Sequence, residues 1–121
     1  IDWKIRRNYS IKNLQFPFEN YRRGQREMAI VVYKSIKNSR QLMIQAPTGI
    51  GKTTAVLFPA IKALAENKIS EIFYLTPKST GKNNAEKSLR LMQENGLKLR
   101  FLTLTAKDKI CFKPDSACNP D

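Results

Sequence analysis

The sequence predicts an α/β fold in which a parallel sheet is flanked by helices. Three short apolar segments, 41–46, 71–76 and 99–104, alternate with amphipathic stretches of helical period. Short apolar runs of this kind are typical of parallel strands that are buried on both faces. With 121 residues, of which 41% are hydrophobic, the chain is long enough for one domain with a core.

The elements are predicted to follow one another as strand and helix by turns. Residues 1–15 show no clean period and are predicted to form a basic linker. The predicted helices are 22–38, 52–67 and 83–95, and a polar loop, 77–82, precedes the last of them. Strand–helix alternation at this spacing predicts βαβ units joined by right-handed crossovers.

The charge of the chain points to a polyanionic partner. Lys and Arg number 22 against 10 Asp and Glu, so the net charge is +12. Residues 1–40 alone hold ten basic and three acidic side chains. Nucleic acid is the first candidate, because basic side chains that neutralise phosphates release counterions. The alternative is a solvated surface whose acidic counterpart lies elsewhere.

The composition also excludes several classes of protein. No apolar run approaches the roughly 20 residues of a membrane span, and no secretory signal is present. We therefore expect no membrane partner and a cytoplasmic, nucleoid-associated protein of bacterial type. The absence of histidine excludes a His-ligated metal site and a His general base, and two cysteines are too few for a disulfide scaffold.

The strongest motif lies between the first predicted strand and the helix that follows it. It reads Ala46-Pro47-Thr48-Gly49-Ile50-Gly51-Lys52-Thr53. Gly49 and Gly51 permit backbone angles at which successive amides turn toward a phosphate, and the following helix directs its free N–H groups to the same anion. Lys52 is predicted to reach the β- and γ-phosphates of ATP, and the Thr53 hydroxyl to ligate Mg²⁺.

This motif predicts a phosphate-loop NTPase fold of the RecA-like kind, with all eight residues in contact with ATP. Lys52 and Thr53 are the predicted catalytic residues. Ala46 departs from the usual pattern, which opens with glycine. The alternative is a chance Gly-Lys-Thr turn on a surface loop.

An acidic residue that would hold Mg²⁺ and orient water is not found at the later strand ends, Leu75-Thr76 and Leu104-Thr105. The chain, which begins with Ile and ends with Pro-Asp, is interpreted as a fragment that binds a nucleotide but does not turn it over alone. A small phosphate-loop kinase and a nucleic-acid-binding module without ATP turnover remain alternatives.

A longer pattern carries a family resemblance. The run Phe16-Pro17-Phe18-Glu19-Asn20-Tyr21-Arg22-Arg23-Gly24-Gln25, with Lys52 following 27 residues after Gln25, resembles the start of the XPD/DinG-type iron–sulfur DNA helicases of superfamily 2. The resemblance implies that 16–105 is the N-terminal part of the first motor domain. It also implies a second motor domain outside this chain and a full-length protein that unwinds DNA by ATP hydrolysis.

The same resemblance implies roles for residues before and after the phosphate loop. Gln25 would read adenine and Arg22 or Tyr21 would flank the base, although the residues alone also allow a solvated glutamine at a helix start. Single-stranded or forked DNA would be gripped after the second strand by Thr76, Lys78, Ser79 and Thr80. Hydroxyls and a lysine suit phosphate contact, but the same composition is typical of any solvated turn.

The last segment, 106–121, resembles the start of the iron–sulfur insertion in these helicases. Cys111 and Cys118 would be two ligands of a [4Fe–4S] cluster, and Lys107 would approach the cluster or DNA. A four-thiolate cluster needs four cysteines, so the other two would lie outside this chain. The spacing of the two cysteines alone favours two incidental reduced thiols, and only the family resemblance reverses that interpretation.

Overall fold

The computed structural model describes residues 2–47 and 49–106, and four α-helices account for the regular structure in those ranges. They are α1 (Trp3–Asn13), α2 (Gln25–Lys37), α3 (Lys52–Ala65) and α4 (Ser79–Glu94). Each of the other three helices packs against α3. The helix that follows the phosphate loop is therefore the centre of the assembly. None of the four is long and apolar enough to span a bilayer.

The core forms where α1 and α4 meet α3. Its buried members are Ile11, Leu14, Leu57, Ile61, Leu64, Ala65, Ala85, Met92 and Leu97. Separately, Ala29 and Val32 are the buried apolar residues of α2. The apolar faces predicted for the last three helices are confirmed, since Val32, Ile61 and Met92 are all buried. Burial of an aliphatic side chain stabilises the fold by about 1.5–3 kcal/mol, so these faces hold the helices together.

A helix stands where the sequence predicted a basic linker. Trp3–Asn13 form α1, whose single buried residue is Ile11, and Leu14 at its C-cap is buried as well. The Nζ of Lys62, on α3, donates hydrogen bonds of 2.6 Å to the carbonyl oxygens of both Ile11 and Leu14. Carbonyl groups in the last turn of a helix lack partners within the helix, and a basic side chain can satisfy them. Lys62 therefore adds a side chain from a distant part of the chain to the backbone cap of α1, in which the Leu14 N–H donates to the Ile11 carbonyl oxygen.

The structure does not confirm the predicted three-stranded sheet, because no strand is present among the described residues. Segments 41–46, 71–76 and 99–104 carry no regular secondary structure. The backbone hydrogen bonds outside helices all lie at helix ends and turns, and none joins one of these segments to another. A strand exists only when its N–H and C=O groups pair with a neighbour, so unpaired segments do not form a sheet.

These segments nevertheless retain the alternation of strands. Met43 is 98% exposed between Leu42 and Ile44, which are 40% and 41% exposed, and Tyr74 at 39% lies between Phe73 and Leu75 at 80% and 88%. A period of two in exposure is what an extended backbone produces when one side faces a layer of helices. Ile72 and Leu99 of these segments pack against the helical core.

Candidate functional site

The phosphate loop is curled back on itself at the start of α3. Gly49 and Gly51 have φ values of +86° and +73°, in the left-handed region that favours glycine, and Gly51 is the N-cap of α3. Lys52, the first residue of the helix, donates from Nζ to the carbonyl oxygen of Ala46 at 3.0 Å. The side chain therefore bridges the two ends of the loop. Both glycines therefore have backbone angles of the kind that glycine permits and other residues rarely adopt.

The remaining loop residues lie around this bridge. Pro47 is exposed, whereas Ile50 and Thr53 are half-buried, and Thr48 lies outside the described residues. Among the described residues, no side chain accepts a hydrogen bond from the N-terminus of α3. Helix N–H groups without such acceptors are the condition for an anion site at a helix start.

Gln25 connects the loop to α2. Its side chain is only 1% exposed. The Oε1 atom accepts a hydrogen bond of 3.0 Å from the backbone N–H of Arg22, and Nε2 donates one of 3.2 Å to the carbonyl oxygen of Gly51. The alternative of a solvated glutamine at a helix start is therefore wrong. Gln25 ties the start of α2 to the start of α3.

The contact between Gln25 and Gly51 also explains why a glycine stands at position 51. A Cβ atom added there would lie 2.3 Å from Nε2 of Gln25. A real Cβ atom never approaches a neighbouring atom so closely, so either the amide or the loop would have to move. Gly51 thus serves two requirements, a positive φ and the close approach of a buried side chain.

Arg22 holds the other half of the loop. Its Nη1 atom donates a hydrogen bond of 3.0 Å to the carbonyl oxygen of Gly49, while its backbone N–H bonds Gln25. The structure therefore brings together Arg22, Gln25 and the two loop glycines, as the sequence predicted for a common site. The guanidinium is exposed and remains accessible from solvent.

An aromatic cluster, which the sequence analysis missed, supports the segment that carries Arg22. Phe16 stacks on Tyr21 with ring centroids 4.1 Å apart, and it meets Phe58 of α3 edge to face at 5.4 Å. Phe18 adds a second edge contact to Phe16 at 5.8 Å. The signal was available as three aromatic residues within 16–21. Offset and edge-to-face pairs contribute about 0.5–1.5 kcal/mol each beyond burial, which fixes this segment against α3.

The second predicted site, after segment 71–76, has a different shape from the predicted loop. Helix α4 begins at Ser79, so Ser79 and Thr80 lie in its first turn and not in a loop that extends to residue 82. The sequence pattern misses this turn because no apolar residue occurs before Ala85. Lys78 is the N-cap and makes no side-chain capping hydrogen bond.

Two contacts shape this helix start. The Thr76 hydroxyl donates a hydrogen bond of 2.6 Å to the carbonyl oxygen of Lys78. A Cβ atom at position 81 would lie 2.7 Å from that hydroxyl oxygen, so Gly81 allows segment 71–76 to approach α4. Lys82 donates from Nζ to the Thr105 hydroxyl at 3.3 Å, which brings the end of segment 99–104 to the same place. Hydroxyls, lysines and uncapped amides are therefore assembled at one helix N-terminus.

Three predicted residues, Lys107, Cys111 and Cys118, lie outside the described residues. Within the described ranges, no group of three or more Cys, Asp or Glu side chains is arranged to hold a metal ion. The predicted cluster ligands and the DNA contact of Lys107 stay predictions.

Comparison with known proteins identifies a helicase pattern. The sequence profile of DEAD/DEAH box helicases matches residues 24–113. A probable ATP-dependent helicase of Methanocaldococcus jannaschii is 45% identical over 47 residues, which are 39% of this chain and 7% of that relative. The chain thus spans a small part of the length of this relative. No solved structure matches.

Proposed function

The chain belongs to the DEAD/DEAH box helicase family, and we propose that it forms the ATP-binding part of an ATP-dependent DNA helicase of the XPD/DinG iron–sulfur type. Family membership implies a RecA-like phosphate-loop fold. The observation that carries the proposal is the phosphate loop itself. Its two glycines have positive φ, its lysine is the first residue of α3, and the Gln25 side chain donates a hydrogen bond to the Gly51 carbonyl oxygen.

ATP would bind with its triphosphate against the start of α3. Lys52 bonds a carbonyl oxygen, which carries only a partial negative charge, so a phosphate oxygen with a full charge competes favourably for its ammonium group. The backbone N–H groups after Gly49 would surround the same phosphates. The Thr53 hydroxyl, half-buried in the first turn, is the residue present to ligate Mg²⁺, which neutralises phosphate charge when it is bound.

The base of the nucleotide would lie toward α2, near Arg22 and Gln25. Each polar atom of the Gln25 amide already makes one hydrogen bond, and each retains the capacity for one more. Because the Gln25 side chain is only 1% exposed, the edge of adenine would use that capacity only after the segment around Arg22 moves aside. A hydrogen bond to the base would then act on the same side chain that holds Gly51, so occupation of the base site would stiffen the phosphate loop.

Nucleic acid would bind at the start of α4. Thr76, Lys78, Ser79 and Thr80 are the residues proposed to contact the phosphates of single-stranded or forked DNA. The support is the uncapped helix start and the exposure of Lys78, Ser79 and Thr80. Such contacts position a strand without reading its sequence.

The finer family assignment adds a second motor domain and a [4Fe–4S] cluster. It rests on the run from Phe16 to Gln25 and on Cys111 and Cys118. Two cysteines cannot complete a four-thiolate cluster, so we derive no step through it. The phosphate loop and the DNA contacts stand without it.

The experiment is ATP turnover by the full-length protein with and without single-stranded DNA. In Lys52→Ala we expect turnover to fall at least about 100-fold, because the charge that stabilises the developing phosphate charge is removed. Lys37→Ala, an exposed lysine at the end of α2, is the matched control and should turn over ATP like the wild type. Wild-type turnover in Lys52→Ala would refute the phosphate-loop assignment. Phosphorylation of a small acceptor, or DNA binding without hydrolysis in the wild type, would refute the motor.

A further inference from the structure

A groove of about 470 Å³ lies between α1 and the turn that ends α4, away from the residues proposed to bind ATP. One wall is a stripe of α1 formed by Ile5, Arg6, Tyr9, Ser10 and Asn13. The opposite wall is formed by Asn95, Gly96 and Lys98. The stripe is the face of α1 that does not pack against α3, because the buried residue of this helix is Ile11.

The two walls are fixed to one another. The backbone N–H of Lys98 donates a hydrogen bond of 2.9 Å to the Ser10 hydroxyl, which in turn donates to the carbonyl oxygen of Arg7 at 2.7 Å. At the N-terminal end of α1, the Arg100 guanidinium lies over the Trp3 ring, 4.3 Å from its centroid. The groove is thus part of the folded structure, because hydrogen bonds connect its two walls.

The two charged residues that line the groove, Arg6 and Lys98, are both basic. Helix α1 carries Lys4, Arg6, Arg7 and Lys12 and no acidic residue, and none of the eight residues that line the groove is acidic. Arg6 and Lys98 stand on opposite walls. A groove between two cations fits a chain that carries repeated negative charge.

The apolar content of the groove is also exposed. Tyr9 is 72% exposed and Ile5 is 62% exposed, and Tyr9 lines the same groove as Arg6 and Lys98. An aromatic face flanked by basic side chains is the arrangement on which the bases of single strands stack. The stripe from Ile5 to Asn13 is about 12 Å long, which accommodates about three nucleotides at the rise of a stacked strand.

We infer that this groove binds single-stranded DNA, with a base stacked on Tyr9 and phosphates held by Arg6 and Lys98. It is a second contact site, distinct from the start of α4, and it does not depend on ATP binding. The Asn13 and Asn95 amides lie at one end of the groove, where it continues into a cavity of about 400 Å³. That cavity is lined by Phe16, Phe18 and the acidic Glu19, among others. We therefore place the phosphate contacts at the opposite end of the groove, away from Glu19.

The test uses the full-length protein without nucleotide, titrated with a labelled oligothymidine strand over about 50 to 200 mM salt. Arg6→Glu combined with Lys98→Glu should weaken binding at least about tenfold and lower the slope of log affinity against log salt by about 1.4, the value for two phosphate contacts. Lys37→Glu combined with Lys87→Glu makes the same change of charge at exposed positions outside the groove. This control should leave the slope within about 0.3 of the wild type.

The stacking contact is tested separately. Tyr9→Ala should weaken binding about 5- to 150-fold with an unchanged salt slope, whereas Tyr9→Phe, which keeps the ring, should bind like the wild type. Ultraviolet cross-linking to the same strand should modify Tyr9. Because Tyr9 is exposed, circular dichroism spectra of these variants should match the wild type.

Equal effects of the groove and control charge reversals would overturn the inference, as would the absence of a cross-link at Tyr9. Duplex DNA that binds as well as the single strand would also overturn it, since paired bases cannot stack on the ring. The same holds if the groove variants lose binding to an acidic protein partner and not to DNA. These binding outcomes are measured without nucleotide, so wild-type ATP turnover in Lys52→Ala, which would refute the phosphate-loop assignment, would leave them unchanged and the two proposals fail separately.

Discussion

Gln25 holds the phosphate loop from a buried position, and replacing it should loosen the loop in a measurable way. In Gln25→Ala both hydrogen bonds of the amide are lost, one to the Arg22 N–H and one to the Gly51 carbonyl. The Gly51 carbonyl retains the helical bond from the N–H of Ala55, and Arg22 is exposed to water. No buried polar group is therefore left without a partner, and the loss is confined to the two bonds and a small void.

The magnitude follows from those bonds. A typical intramolecular hydrogen bond contributes about 0.5–1.5 kcal/mol net, so the two together contribute about 1–3 kcal/mol to closure of the loop. If these bonds must break for the loop to open, local opening becomes more frequent by the corresponding factor, about 5- to 150-fold at 25 °C.

The assay is hydrogen–deuterium exchange of peptides that cover the loop and the first turns of α3. Gln25→Ala should speed exchange there by the factor above and leave α4 unchanged. Gln25→Glu should speed exchange at least as much, because it places a buried carboxylate, which has no N–H to donate, against the Gly51 carbonyl oxygen. Gln41→Ala, at an exposed position, is the control. Loop exchange within about twofold of the wild type in Gln25→Ala would show that the amide does not hold the loop.

Two further perturbations test the loop and the cap of α1. Gly51→Ala should destabilise the loop by about 1–2 kcal/mol for a left-handed non-glycine residue and should displace Gln25, seen as faster exchange at the start of α2 as well as α3. Burial lowers the pKa of Lys62 below 10.5, so between its folded pKa and 10.5 the unfolded chain binds more protons and stability rises with pH. The stability advantage of the wild type over Lys62→Met, measured by denaturant unfolding, should therefore grow as pH rises toward 10.5, since a neutral amine still has two N–H groups for Ile11 and Leu14. A difference that shrinks with pH would contradict this account.

The sequence predicted those features whose causes are local. The helices α2, α3 and α4 were predicted because apolar residues such as Val32, Ile61 and Met92 recur at helical spacing, and all three are buried. The glycine conformations of the phosphate loop followed from residue type alone. Boundaries were less well predicted, since the first turn of α4 contains no apolar residue to mark it.

Features that depend on distant residues were missed. Helix α1 buries only Ile11 along its length, so its sequence shows little periodicity. The carbonyl oxygens at its C-terminal end bind Lys62, which is about fifty residues away in the sequence. Gln25 was predicted as an adenine contact, but its burial against Gly51 depends on the packing of α2 on α3, which no local pattern records. Both cases join residues of distant parts of the chain through a single polar side chain.

The phosphate loop has the predicted glycine conformations although the predicted sheet is not observed, and the reason is again the contacts between distant residues. Arg22 and Gln25 hold the loop from its helical side, and these contacts require that α2 and the segment before it pack against α3. On the other side the contact is the bond between Lys52 and Ala46, which a bound phosphate would replace. The loop can therefore take its shape although segment 41–46 pairs with no neighbour among the described residues. Order in the phosphate site thus comes from the helices, and we expect mutations in the α2–α3 contact to disturb it more than mutations of exposed residues in segment 41–46, such as Met43.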